Sequence, residues 1–199
     1  MSLAALARAL AARPASSEAS DRIARLRPGH LPPGGLTEAA VLVPLHETDG
    51  VVSVLLTVRR GDLSRHAGQI SFPGGRIEPG EASQAAALRE AHEEVGLEPG
   101  RAVLLGRLSE TVVLQSAFRL TPWVASVPYP YPYTAAPREV EAILHVPLPA
   151  LLAEGVHRTE RRTAYGMDVD VHYYEVEGRT IWGATARVLS ELLEIWRTV

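Results

Sequence analysis

Gly75-Arg-Ile-Glu-Pro-Gly-Glu81-Ala-Ser-Gln-Ala-Ala-Ala-Leu-Arg89-Glu90-Ala91-His-Glu93-Glu94-Val-Gly96-Leu97 is the stretch on which the reading of this chain turns. From Glu81 to Val95 it is rich in alanine and strong helix formers, and Gly96 stands where a left-handed cap would stop a helix. On a helix, Glu90, Glu93 and Glu94 are spaced i, i+3 and i+4 and share one face. Ser83 and Ala86 fall on that face too, and their small size is expected to leave room above it. Ala87, Leu88, Ala91 and Val95 form a neighbouring apolar stripe that can pack on a sheet. Three like charges on one stripe repel by about a few tenths of a kcal/mol per pair. A helix shaped for stability alone would intersperse arginine there. Carboxylate oxygens are also what hard cations such as Mg²⁺ prefer as ligands. A bare E-x-x-E-E would equally serve as a solvated acidic face.

Working outward, the 199 residues are enough for one domain with a sizeable core. The apolar fraction of 46% is that of an ordinary globular protein. A net charge of -3 provides no global attraction for nucleic acid or an anionic membrane. The chain has no cysteine, which excludes disulfides, thiolate nucleophiles and Cys-based zinc sites. It also has no lysine, all 20 basic residues being arginine, which excludes a P-loop lysine and Schiff-base chemistry. An anionic substrate would then rely on metal ions or on a few placed arginines.

Ser2–Arg13 reads as a packed amphipathic helix, because Arg8 interrupts any secretory apolar run. Residues 1–27 as a whole read as one or two short helices. Pro28–Gly35 reads as a turn-rich connector, so that 1–35 form an extension and 36–199 the main domain. Strands are expected at Ala39–Leu45 and Val51–Val58, joined by a hairpin turn at Glu47-Thr-Asp-Gly50. Further strands are expected at Ala102–Val113, Phe118–Val127, Val140–His145, Thr163–Tyr165, Val169–Val176 and Thr180–Trp182. Short and long helices are expected at Pro149–Ala153 and Ala184–Thr198. Hairpins with few helices indicate an α+β fold with helices packed on a mixed sheet. No stretch reaches membrane-spanning length, and cytoplasm is the expected compartment.

The glutamate spacing does not stand alone. The segment fits Gly, five residues, Glu, seven residues, Arg-Glu-aliphatic-x-Glu-Glu-x-Gly-aliphatic, with Gly75, Glu81, Arg89, Glu90, Glu93, Glu94 and Gly96 at the fixed positions. Ala91 and Leu97 occupy the aliphatic ones. The chain thereby resembles the Nudix hydrolase superfamily. The resemblance implies an α/β/α sandwich with a central mixed sheet and a loop–helix–loop at a metal site. It implies that Glu90, Glu93 and Glu94 ligate Mg²⁺ or Mn²⁺ and that Arg89 orients them by ion pairing. It also makes Glu81 an outer or additional ligand and has Gly75 allow close backbone approach. Glu139, in Pro137-Arg-Glu-Val-Glu141, occupies a region from which such enzymes often recruit another carboxylate. His92 is expected at the surface, and Glu78 and Glu98 in solvated loops.

Upstream, Leu55-Leu56-Thr57-Val58-Arg59 through Gly68 to Phe72-Pro73-Gly74-Gly75 is similar to a second signature, that of the coenzyme A pyrophosphatase branch. Arg60 stands where the branch has a small residue, and Ser64 where it has arginine, with Arg65 adjacent. Ile181-Trp182-Gly183-Ala184-Thr185-Ala186 is also similar to that branch. Arg59, Arg65 and His66 beside a glycine turn suit a phosphate clamp, because guanidinium forks match phosphate oxygens. Gly74 and Gly75 complete the candidate substrate-binding set. The function implied is metal-dependent hydrolysis of coenzyme A, or its thioesters, to 3′,5′-ADP and 4′-phosphopantetheine. Alternatives are hydrolysis of ADP-ribose or NADH-type compounds, and a non-catalytic nucleotide-binding module. The expected partner is a small nucleotide, with neither nucleic acid nor membrane. Tyr129, Tyr131 and Tyr133 offer either stacking on adenine, a rigid proline-bearing surface loop, or a contact in a homodimer.

Overall fold

The computed structural model of the chain describes residues 2–13, 34–62, 68–164 and 167–199. Its frame is a hairpin of β1 (Thr37–Thr48) and β2 (Val51–Arg59). Asp49 and Gly50 turn it with φ of 52° and 77°, the double left-handed geometry that suits a right-twisted two-residue hairpin. β1 also pairs in parallel with β7 (Phe118–Ser126), so the sheet is mixed and β1 is interior. The remaining members of this 8-stranded sheet are β3 (Ile70–Ser71), β4 (Gly74–Arg76), β5 (Val103–Arg107), β6 (Thr111–Val113) and β8 (Val140–Pro147).

The alternation of side chains along β1 and β2 divides the core between the two faces of the sheet. Ala40, Leu42 and Leu55 face α2 (Ser83–Val95) and join Ala87, Ala91 and Val95 in one buried cluster. Val41, Val43, Val54 and Leu56 face the other way, toward Leu6 of α1 (Leu3–Ala12) and Val188, Leu189 and Leu192 of α4 (Gly183–Trp196). Helices thus cover both faces, the α/β/α sandwich expected from the sequence. A second sheet orders β11 (Arg179–Trp182), β10 (Met167–Val176) and β9 (His157–Ala164), and a short α3 (Leu148–Leu151) precedes it.

Several expectations need correction. The single strand expected over Ala102–Val113 is two. Gly106, at φ 152°, accompanies a register shift between β5 and β7, and the Ser109 amide and hydroxyl are both taken by the Glu191 carboxylate of α4. β9 begins at His157 rather than Thr163, and α3 covers Leu148–Leu151 rather than Pro149–Ala153. Ala86 does not lie on an open face: it is fully buried in the core beneath α2. Ser83 is likewise engaged, accepting a hydrogen bond from the Trp123 indole at 3.1 Å. Of the expected helices and connector in residues 1–35, only α1 and the last two connector residues fall within the described residues.

Candidate active site

Two glycines set the geometry. In β4, Gly74 pairs with Val41 and Gly75 with Ala40. A Cβ on Gly74 would lie 2.5 Å from the Ala40 carbonyl oxygen, and a Cβ on Gly75 would overlap the Glu90 carboxylate. Glycine at 74 lets β4 lie against β1, and glycine at 75 leaves the Glu90 carboxylate its place over the strand. Gly96, at φ 71°, ends α2 and returns its amide to the Ala91 and His92 carbonyls.

The three glutamates on α2 occupy different environments. Glu94 is 5% exposed. The Glu90 side chain is 16% exposed and that of Glu93 58%. Arg89 organises the outer part of the group. Its Nε and Nη2 donate to the two oxygens of Glu81 at 2.9 and 3.1 Å, while Nη1 donates to Glu90 at 2.9 Å. Nη1 also stands 3.5 Å from Glu93, and Nη2 donates to the Arg76 carbonyl at 3.0 Å. One planar guanidinium therefore fixes two carboxylates and the strand beneath them, which a lysine could not do. The hydrogen bond from Arg89 lowers the Glu81 pKa, and the amide of Glu78 adds to this. Reciprocally, Glu81 above all holds Arg89 protonated.

Burial works against the charge at the inner carboxylates. Desolvation raises the Glu90 pKa, Arg89 opposes it, and Glu93 and Glu139 add to the rise. Glu94 is pushed up to about 8, chiefly by burial. Arg59 opposes that rise, Glu90 and Glu139 reinforce it, and a hydrogen bond from the Gly74 amide moderates it. A carboxylate held this far from its usual range, beside two more that oppose its ionisation, fits a place where a cation restores the charge balance. Oxygen donors of this kind suit Mg²⁺ or Mn²⁺. Among the described residues no three acidic or imidazole groups stand close enough to enclose a cation by themselves. Sites that Mg²⁺ shares with water and substrate phosphates commonly have one or two carboxylates.

The neighbouring elements bring some sequence candidates into this group. Arg59, at the end of β2, acts electrostatically on Glu94, and its Nε is buried without a hydrogen-bond partner among the described residues. Glu139 reaches the group because the segment before it is fastened to α2. The Thr134 amide donates to the Val95 carbonyl and the Ala136 amide to the backbone carbonyl of Glu94, while the Arg60 amide donates to the Glu139 carbonyl. Arg65 and His66 lie outside the described residues. His92 is exposed, 3.7 Å from Glu98, and Glu78 is exposed.

The three tyrosines of the proline loop are engaged within the chain, which favours the rigid-loop reading. Tyr129 stacks on His46 with ring centroids 4.1 Å apart, Tyr131 donates to the Gly96 carbonyl and Tyr133 to that of Pro128. Sequence reasoning missed two features. One is the His46–His145 hydrogen bond of 2.9 Å, between residues 99 positions apart. The other is a cavity of about 360 Å³ reaching from Gly74 and Gly75 to Phe118 and Trp182. No spacing in the chain signals either, because each is assembled by sheet topology.

Comparison with known proteins places this geometry. The NUDIX domain family matches residues 36–156. The chain is similar to the Uncharacterized Nudix hydrolase NudL of Cronobacter sakazakii, with 37% identity over 162 residues, covering 78% of this chain and 80% of that protein. Among solved structures, a MutT/nudix family protein from Enterococcus faecalis superposes with a TM-score of 0.55 at 16% identity, covering 100% of this chain and 74% of that one. RenU, a Nudix hydrolase from M. smegmatis, gives 0.51 at 24% identity, over 59% and 74% of the two chains. At such identities the structural likeness speaks to the fold.

Proposed function

This chain belongs to the Nudix hydrolase family, and from that premise we propose that it hydrolyses the pyrophosphate of coenzyme A or its thioesters, as the member of a nucleoside diphosphate class that its residues suit best. The observation that carries the hydrolase reading is the carboxylate group itself: Glu90 and Glu94 lie against the Gly74–Gly75 strand, with Arg89 gripping Glu81 and Glu90 from outside. When bound there, a divalent cation supplies neutralisation of pyrophosphate charge and activation of water.

The chain's own residues account for the rest. Arg89 holds Glu81 and Glu90 in register with β4, so the ligand set is positioned before substrate arrives. Arg59 stands beside Glu94 with an unsatisfied Nε, suited to a substrate phosphate oxygen. Glu139, which acts electrostatically on Glu90 and Glu94, would be the carboxylate that takes a proton from the attacking water. In the overall step one water adds its oxygen to one phosphorus. The bridging P–O bond breaks, the bridging oxygen stays with the other phosphate, and the water's protons pass to base and solvent. Coenzyme A is favoured by the Leu55–Gly75 signature, to which Arg59 belongs.

The test is a competitive panel of coenzyme A, dephospho-coenzyme A, ADP-ribose and NADH with Mg²⁺, its products identified by mass spectrometry. Coenzyme A should give the highest kcat/KM, with 3′,5′-ADP and 4′-phosphopantetheine as products. ADP-ribose as the best substrate would overturn the coenzyme A reading and leave the hydrolase reading standing. No turnover of any dinucleotide would overturn both.

A further inference from the structure

We infer that Trp182 is a specificity-determining residue: with Phe118 it walls an apolar pocket that receives the uncharged, chain-like arm of a nucleoside diphosphate derivative. The substrate assignment rests on the hydrolase reading above, whereas the pocket can be tested without it.

The cavity of about 360 Å³ is of ligand size and includes Gly74 and Gly75, the strand against which the carboxylates of α2 lie. Val41, Ile70 and Phe72 form its inner wall, and all three are buried core residues. Phe118 comes from β7, and Trp182 lines the cavity from the junction of β11 and α4. Trp182 is 43% exposed, a large apolar ring facing solvent, whereas Val41, Ile70 and Phe72 are buried and Phe118 is half-buried. It also lies beyond residues 36–156, the part matched to the family. The common Nudix frame therefore supplies the glutamates, and the C-terminal segment supplies this wall.

Two hydroxyls along the cavity are committed to the protein, while Arg59, Gln69, Gln115 and Ser116 give it a polar margin beside its apolar wall. Thr185 donates to the Ile70 carbonyl at 3.2 Å, which also ties α4 to β3. Ser71 shares a hydrogen bond of 3.1 Å with Thr57. The Arg76 guanidinium lies over the Phe118 ring, 5.7 Å from its centroid. Against the apolar part of the wall, Val41, Ile70, Phe72, Phe118 and Leu120, the hydroxyl groups of a second sugar or nucleoside would find no partner, and a buried polar group without a partner is costly. A chain of methylenes needs no such partners and gains from burial between two rings. Among pyrophosphate-linked compounds, the cavity thus selects a nucleotide joined to an aliphatic, amide- or thioester-bearing arm over one joined to a sugar.

Calorimetric titration of the full-length protein with ethyl, butyl and octyl phosphate tests the pocket directly. Affinity should rise roughly three- to fourfold per buried methylene until the cavity is filled. Trp182→Ala should weaken octyl phosphate roughly tenfold and ethyl phosphate little, while Trp182→Phe retains most of the affinity. Ala184→Leu, which fills the cavity from α4, should weaken octyl phosphate selectively and serves if the alanine variant folds poorly. Affinity indifferent to chain length, or equal losses for ethyl and octyl phosphate in Trp182→Ala, would overturn the inference. In the turnover assay, Trp182→Ala should lower the kcat/KM ratio of octanoyl-coenzyme A to ADP-ribose roughly tenfold, chiefly through KM. Chain-dependent binding through Trp182 without turnover would remove the hydrolase reading and leave the pocket. Turnover with an unchanged ratio would do the reverse.

Discussion

Glu94 combines 5% exposure with a pKa pushed up to about 8, so the fold pays to keep a carboxylate where an amide would be easier to bury. Glu94→Gln should therefore melt at or above the wild-type temperature while kcat falls at least about 10²-fold, the scale expected when charge stabilisation at a metal site is lost. Glu93→Gln should also cost at least about 10²-fold, although its side chain is 58% exposed. Near-wild-type turnover by both variants, followed alongside thermal melting, would end the assignment. Gly75→Ala probes placement rather than charge. Its methyl would overlap the Glu90 carboxylate, so kcat should drop on the order of tenfold or more, given how steeply rate depends on ångström-scale placement. Unaltered kcat in a folded Gly75→Ala protein would show that Glu90 need not stay where it is. At this scale the sequence was informative wherever the family spacing marks a position, as for Arg89 and its carboxylates. It could not reveal that one guanidinium would reach Glu81, Glu90 and the Arg76 carbonyl together, because that depends on β4 lying under α2.

Between elements, the His46–His145 contact joins β1 to β8 on either side of β2 and seats Tyr129 of the proline loop. Burial, then the neighbouring His145, lowers the His46 pKa to about 4, and burial lowers that of His145 as well. At pH 7 His46 is neutral whether the chain is folded or unfolded, and it contributes no pH-dependent stability. Below about pH 6.5 the unfolded chain takes up a proton that the folded chain refuses until about pH 4, so stability declines across that window. For a side chain 3% exposed the loss at pH 4 is on the order of 2–3 kcal/mol. Other ionisable groups also change charge on acidification. The informative quantity is therefore the wild type compared with His46→Gln, whose urea midpoint should fall less steeply from pH 7 to pH 4. Parallel pH profiles would exclude the histidine pair as the cause. Elements with a strong local signal were legible: α2 and the β1–β2 hairpin stand where the helix formers before Gly96 and the apolar runs around the Glu47–Gly50 turn put them. β9 was largely missed because His157-Arg-Thr-Glu-Arg-Arg-Thr has no apolar alternation. Its strand is held by pairing along β10, including Arg161 with Asp170 at 3.2 Å.

Over the whole molecule, the first helix and the last belong to one core. Leu6 is fully buried with Val188, Leu189 and Leu192, and Leu10 packs where Gly106 has no side chain. Leu6→Ala should then cost about 2–4 kcal/mol in urea unfolding, while a loss below about 0.5 kcal/mol would mean that α1 is dispensable to the domain. The charge balance of the entire chain leads to the remaining test. With a net charge of -3 and arginine as its only strong cation, the protein has few means of neutralising a pyrophosphate, and Arg89 is already committed to Glu81 and Glu90. Treatment with EDTA should abolish hydrolysis, and Mg²⁺ or Mn²⁺ should restore it. Because a cation that binds the folded chain stabilises it by RT ln(1 + [L]/Kd), on the order of 2.7 kcal/mol at a hundredfold excess over Kd, the melting temperature should rise with Mg²⁺. That rise should vanish in Glu94→Gln, a readout independent of turnover. Undiminished hydrolysis in exhaustively chelated buffer, or a thermal shift indifferent to Glu94, would mean that the charge is met elsewhere in the fold.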